Sequence, residues 1–181
     1  MTETDSSSPE LIGLAHQTVR DLRHRLASTS DGAAALRDAG YAGADSVYSA
    51  FETWVTENDG GAIDEMTLDQ FSSRAAEFFR AAGWGKVSIR SLHDALAVVD
   101  IEDCWESSGA GAGSGCHLTT GTLAGFLGQL TDYPVAAMEI ECGSGAGGRC
   151  RFLAGTAEML DHAYERVARG EEWETIGAGD L

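Results

Sequence analysis

Cys116, Cys142 and Cys150 gather three of the chain's four cysteines into one stretch, "CHLTTGTLAGFLGQLTDYPVAAMEIECGSGAGGRC". Two carboxylates, Glu139 and Glu141, precede the second cysteine, and His117 follows the first. These residue types allow four kinds of chemistry: a disulfide, a metal site, a reactive thiol, or none at all, with the cysteines as small buried hydrophobes. Zinc takes four tetrahedral ligands drawn from thiolate, imidazole and carboxylate. Cys142 and Cys150, at the two ends of a hairpin, can pinch such an ion across a strand pair. Cys116 opens a helix, where the positive end of the dipole favours the thiolate. Glu139, Glu141, His117 and Cys104 all remain open as the fourth ligand.

The elements that must position these groups follow from periodicity. "ELIGLAHQTVRDLRHRLAS" behind Pro9 has Leu11, Leu14, Ala15, Val19, Leu22 and Leu26 at helical spacing. A second helical region spans about 32–58, with a break near Gly40 and Val47, Tyr48, Phe51, Trp54 and Val55 on one face. "NDGGAID" ends it, and Phe71, Ala75, Phe78 and Phe79 mark a further helix from Thr67 to Ala82. The period then changes: "KVSIRSL" and "ALAVVDIEDCW" read as a hairpin turning at 93–94. "ESSGAGAGSG" reads as a flexible loop. Leu123, Phe126, Leu127 and Leu130 define a helix ending near Asp132, before Pro134. "VAAMEIEC" and "CRFLAG" form a second hairpin around "GSGAGGR", and "TAEMLDHAYERVARGEE" closes the chain as a helix capped by Thr156. The expected fold class is α+β: an antiparallel sheet of two hairpins, about four strands, with helices packed against it.

Composition limits the function. At 181 residues the chain can bury a core without covalent staples, and its 43% hydrophobic and 23% charged shares are ordinary for a globular protein. No apolar run reaches membrane-spanning length, and the acidic, Ser-rich start "MTETDSSSPE" is unlike a secretory leader, so the expected location is the cytoplasm, where disulfides are rare. A net charge of −17, with Lys86 the only lysine, argues against a nucleic-acid surface and fits either a high-salt proteome or a GC-rich genome. "GAGAGSG" at 109–115 fails the dinucleotide fingerprint, because Ser114 or Cys116 stands where the third glycine belongs. No catalytic triad is legible, and nothing marks the chain as an enzyme. The organisation expected is a disordered tail over 1–8, one domain over 9–172 and a C-terminal tail over 173–181. Helices occupy 9–82 of that domain, and 83–172 form its metal-binding core.

From Trp105 to Phe152 the chain resembles the 4-vinyl-reductase, or hydrocarbon-binding, domain family. The residues that carry the resemblance are Cys116, Gly121, Gly125, Phe126, Pro134, Glu139, Glu141, Cys142, Arg149 and Cys150, with "GWGKVSI" and "DCWES" as lead-in strands. The family includes sensor regions of phenol- and xylene-responsive transcription activators and a bacteriochlorophyll-biosynthesis protein, and its fold relatives are the TRAPP tethering subunits. The resemblance implies a structural zinc held by Cys116, Glu139, Cys142 and Cys150. It also implies a pocket for a small apolar molecule, for which Phe71, Phe78, Trp84, Val87, Val98, Ile101, Trp105 and Phe126 are the candidate walls. Two departures bear on the ligand. Ile101 stands where the phenol sensors carry a Trp, and no His lies between His24 and His93 to serve as their pocket histidine. The function implied is that of a sensor or carrier, with a protein-interaction scaffold or a tetrapyrrole accessory or reductase role as alternatives. Without an ATPase or helix-turn-helix motif, a sensor's output must pass through a homodimer or a separate protein. The apolar faces of residues 11–26 and 47–55 are the expected dimer contacts.

Overall fold

The computed structural model describes residues 11–59, 61–93, 96–108, 115–144 and 148–175. The tail expected over 1–8, most of the loop before Cys116 and the centre of "GSGAGGR" lie outside them. Six α-helices, two short 3₁₀ turns and four strands follow in the order α1 (His16–Ala27), α2 (Gly32–Ala42), α3 (Ala44–Asp59), α4 (Leu68–Ala81), β1 (Lys86–His93), β2 (Leu96–Glu102), α5 (His117–Gly128), β3 (Ala136–Glu141), β4 (Arg149–Gly155) and α6 (Ala157–Ala168). The two hairpins join through an antiparallel β2·β4 pairing, so the sheet order is β1-β2-β4-β3.

The sheet has helices on both faces. Val87, Ile89, Val99, Ile101, Cys150 and Phe152 point to one side, where Phe51 and Val55 of α3, Phe71, Ala75, Phe78 and Phe79 of α4, and Leu123, Phe126 and Leu127 of α5 complete the main core. Phe126 is its hub, with the rings of Phe79, Phe51, Tyr48 and Phe71 at 5.1, 5.5, 5.6 and 6.1 Å. Leu96, Val98 and Leu153 point to the other side, against Leu160 and Ala163 of α6. In a strand with period two, neighbours cannot share a face, so the adjacent Val98 and Val99 serve different cores.

Several expected boundaries shift for identifiable reasons. α1 begins at His16 rather than behind Pro9, since Gly13 is a poor helix former and Leu11 and Leu14 are exposed rather than aligned on a core. The break expected near Gly40 falls at Gly43 instead. Gly40 is a packing position inside α2: a Cβ there would collide with the Leu118 carbonyl oxygen of α5. α5 ends at Gly128, short of Asp132, and it is buried on nearly every side from Thr119 to Leu127, as befits a helix apolar all round. Its second contact with α2 is Gly121, where a Cβ would collide with the Arg37 carbonyl oxygen. Since that neighbour is backbone, Gly121→Ala is expected to force the two helices apart and cost about 1–3 kcal/mol, read by urea unfolding. A loss under a few tenths would show that the α2·α5 contact relaxes freely. α4 starts as expected, on Thr67, which forms a capping box with Gln70. The C-terminal segment expected as a tail from 173 instead begins with a 3₁₀ turn, Trp173–Thr175, whose Trp173 lies under the Arg151 guanidinium at 4.4 Å.

Candidate metal centre and apolar cleft

β3 carries the feature that builds the centre. Glu139 pairs with Phe152 and Glu141 with Arg151, so Ile140 is an extra residue and the strand bulges. In an unbroken strand Glu139 and Glu141 would share a face and Cys142 would take the other. The bulge changes that parity. Glu139 and Cys142 then both turn toward Cys116 and Cys150, while Glu141 turns to the opposite face and binds Arg149 at 2.7 Å and Arg151 at 3.0 Å. Arg151 also grips Asp100 in a two-pronged pair at 2.6 and 2.9 Å, which raises its pKa.

The donor atoms of Cys116, Glu139, Cys142 and Cys150 all lie within 4.8 Å of one another. Cys116 and Cys150 are fully buried, with their sulfurs 3.5 Å apart. The Cys116 N–H donates to Glu139 Oε2 at 2.7 Å, and the Gly143 N–H donates to Cys150 Sγ at 3.3 Å. The other Glu139 oxygen, Oε1, is buried without a hydrogen-bond partner among the described residues. A buried orphan acceptor facing three thiols fits a cation, whose bond to it would replace the missing hydrogen bond. Burial pushes the Glu139 carboxyl up. Cys104 hydrogen-bonds to the Cys116 and Cys150 thiols, which hold it down at about 4, while Cys116 and Cys150 are raised by the same pairing and by burial. It stands beside the four-donor set rather than within it. The remaining alternatives for the fourth ligand are otherwise engaged: Glu141 is ion-paired, and His117 Nδ1 lies 3.4 Å from the Arg37 guanidinium, with burial lowering its pKa.

Glu106 and Arg23 complete the surroundings, and sequence reasoning missed both. The segment read as a flexible loop starts with Glu106, whose side chain is 0% exposed. Its carboxylate accepts from the N–H groups of Leu118 at 3.1 Å and Thr119 at 2.8 Å, capping the first turn of α5. Arg23 of α1 reaches it at 3.4 Å and also donates to the Gly115 carbonyl. No spacing rule marks an Arg in helix one as the partner of a Glu more than eighty positions later.

The expected ligand-wall residues separate into four places. Phe78, Trp84 and Trp105 line an open apolar cleft of about 370 Å³, closed on its other side by Leu11, Leu14, His16 and Val19. Trp84 and Trp105 meet edge to face at 6.0 Å, and the Trp105 backbone N–H bonds the Trp84 carbonyl at 3.2 Å. Phe71 lines a smaller cleft of about 200 Å³ with Ile89, Leu127 and Tyr133. Ile101 and Phe126 are packed inside the main core beside Val87, and Val98 lies on the far face of the sheet. Val98 therefore cannot share a pocket with the others.

The fold and the cluster together define the class: an α+β protein with a four-stranded antiparallel sheet and a Cys/Glu group able to hold a metal ion at its edge. Residues 97–156 match the family model of the vinyl-4-reductase domain, and this stretch, which contains all four members of the cluster, places the chain with the 4-vinyl-reductase family that its sequence resembles. Among solved structures the chain is similar to the phenol-responsive sensory domain of the transcription activator PoxR, solved with phenol. That likeness has 15% identity, covers 90% of this chain and 84% of that one, and has a TM-score of 0.66. A vinyl-4-reductase family protein from Methanocaldococcus jannaschii matches at 16% identity over 60% of this chain and 78% of that one, with a TM-score of 0.37. The first likeness establishes the shared fold; the second is too low to bear on it. No curated protein matches the chain. No helix among the described residues is long and apolar enough to cross a membrane.

Proposed function

We propose that this protein is a zinc-stabilised cytoplasmic domain that binds a small, largely apolar molecule and serves as a sensor or carrier. The observation that carries the reading is the apolar cleft walled by Phe78, Trp84 and Trp105, in a fold shared with a phenol-sensing domain. Cys116, Glu139, Cys142 and Cys150 would hold the zinc, which supplies a closed, structural link between α5 and the β3–β4 hairpin. The four donors leave no place for a water molecule, so the metal does not activate one. Glu139 is already oriented by the Cys116 N–H, and Cys150 by the Gly143 N–H.

The ligand's chemistry follows from the walls. The cleft offers aromatic edges and aliphatic side chains, with His16 as its one titratable lining residue. A molecule with an apolar body and at most a single polar group suits it better than a polyhydroxylated or charged one. Native mass spectrometry of the purified protein, followed by solvent extraction, is expected to reveal such a molecule. In ligand-free protein, an uncharged apolar titrant should quench or shift the emission of Trp84 and Trp105. No change in emission with any apolar titrant would overturn the reading.

For the output step, Leu11, Ile12, Leu14, Leu22 and Leu26 are exposed and offer a contact to a second copy of the chain or to a separate protein. The companion surface expected over residues 47–55 is not available, since Phe51 and Val55 are fully buried in the core and Val47, Tyr48 and Trp54 pack against it. A monomer by size exclusion with light scattering would leave only the separate protein.

A further inference from the structure

α1 is attached to the rest of the molecule in an unusual way. Most of its leucines face outward, with Leu22 58% exposed, and the side chain it buries is a charged one, Arg23. That guanidinium is 7% exposed and ends on two acceptors, the Glu106 carboxylate and the Gly115 carbonyl. The same segment supplies one wall of the apolar cleft, through residues 11–14, His16 and Val19. Arg23 therefore fixes where that wall sits.

The acceptors of Arg23 lead directly to the candidate metal centre. Gly115 precedes Cys116, and Glu106 holds the N–H groups of Leu118 and Thr119 in the turn that Cys116 opens. They also lead to the opposite wall of the cleft. Trp105 precedes Glu106, and Leu118, whose N–H Glu106 binds, lines the cleft as well. One buried carboxylate thus touches the wall on α1, the wall on α5 and the turn bearing a metal donor.

We propose that metal binding and apolar-ligand binding are coupled through the Arg23–Glu106 pair, with Arg23 as the positioning residue for the α1 wall of the cleft. This rests on the ligand-binding reading above. With Cys116 held by the metal, the turn over residues 115–119 is fixed, Glu106 and Gly115 present a formed socket, and Arg23 draws the α1 wall against Trp84 and Trp105. Without the metal the socket loosens and the two walls are no longer held at one separation. Linkage makes the effect reciprocal: a ligand that bridges the walls must tighten the metal by the factor with which the metal tightens the ligand.

The experiment uses the full chain, Nile red as an uncharged apolar probe, and zinc affinity measured by competition with a chromogenic chelator under reductant. In the wild-type protein, zinc is expected to bind on the order of tenfold tighter when the probe is saturating than when it is absent. In Arg23→Ala the probe should bind more weakly and that factor should fall to about one. Arg23→Met, which keeps the aliphatic stem and its packing but removes the charge, should behave the same way and serves if the alanine variant does not fold. A wild-type factor of one, or a factor that survives in both variants, overturns the coupling while leaving the cleft as a binding site. Failure of the wild-type protein to bind any apolar probe overturns the ligand reading itself, and the coupling with it.

Discussion

Protein purified without chelator is expected to contain about one zinc per chain, and Cys150→Ala is expected to abolish that zinc and much of the stability with it. Cys150 lies fully buried on β4, which pairs with both β2 and β3, and sits opposite Ile101 in the first of those pairings. Its loss leaves two thiols and a carboxylate, too few to close a tetrahedral shell. The remaining centre would bury Glu139 Oε1 without a partner, a cost of about 1–3 kcal/mol before the lost metal bonds are counted. Structural zinc in small domains contributes far more than that to folding, so the expected drop is at least several kcal/mol, read as a large fall in Tm. Two controls locate the effect. Cys104→Ala and Glu141→Gln should both keep the zinc, because neither residue is in the four-donor set. Full zinc content in Cys150→Ala, or a native zinc-free protein whose Tm does not respond to added zinc, would sink the metal centre.

Glu106→Ala should rank next in effect. The Glu106 carboxylate is fully buried, and its removal strands three donors at once: the Arg23 guanidinium loses one of its acceptors, and the N–H groups of Leu118 and Thr119 lose theirs at the start of a buried helix. With both partners nearly inaccessible, solvent cannot take over. Breaking a buried ion pair from one side costs about 3–5 kcal/mol, mostly the penalty of the charge left behind. Glu106→Gln keeps one acceptor oxygen and should lose less. Urea unfolding monitored by Trp fluorescence separates the outcomes: a loss below about 1 kcal/mol in the alanine variant would place the pair among screened surface interactions. Arg23→Met, by taking the charge away with its partner retained, should be milder than Glu106→Ala, since the carboxylate keeps both helix N–H groups.

The architecture was largely legible because it is written in local periods. The stripe of Phe71, Ala75, Phe78 and Phe79 marks α4, the alternation of "KVSIRSL" marks β1, and the turn residues around 143–148 separate β3 from β4. Glycines were harder to read. Gly40 has the same chemistry as a helix breaker and as a close-packing position, and only the approach of the Leu118 carbonyl tells them apart. The ligand walls were hardest, since a cleft and a core are lined by the same residue types. Phe78 and Phe126 occur in similar apolar surroundings, yet one faces an open cleft and the other is the hub of a packed aromatic cluster.

By itself, the sequence determined which residue types could make a metal centre, that three of its thiols fall close together in the chain, and that two hairpins and a set of helices must carry them. Only the tertiary structure decided that Glu139 rather than Glu141 turns to the thiols, because a one-residue bulge changes the parity of β3 and no local pattern records it. It also decided that Arg23 meets Glu106. A buried ion pair between distant segments leaves no periodic trace; it exists because packing places α1 over the first turn of α5, where an unpaired charge would be too costly to bury.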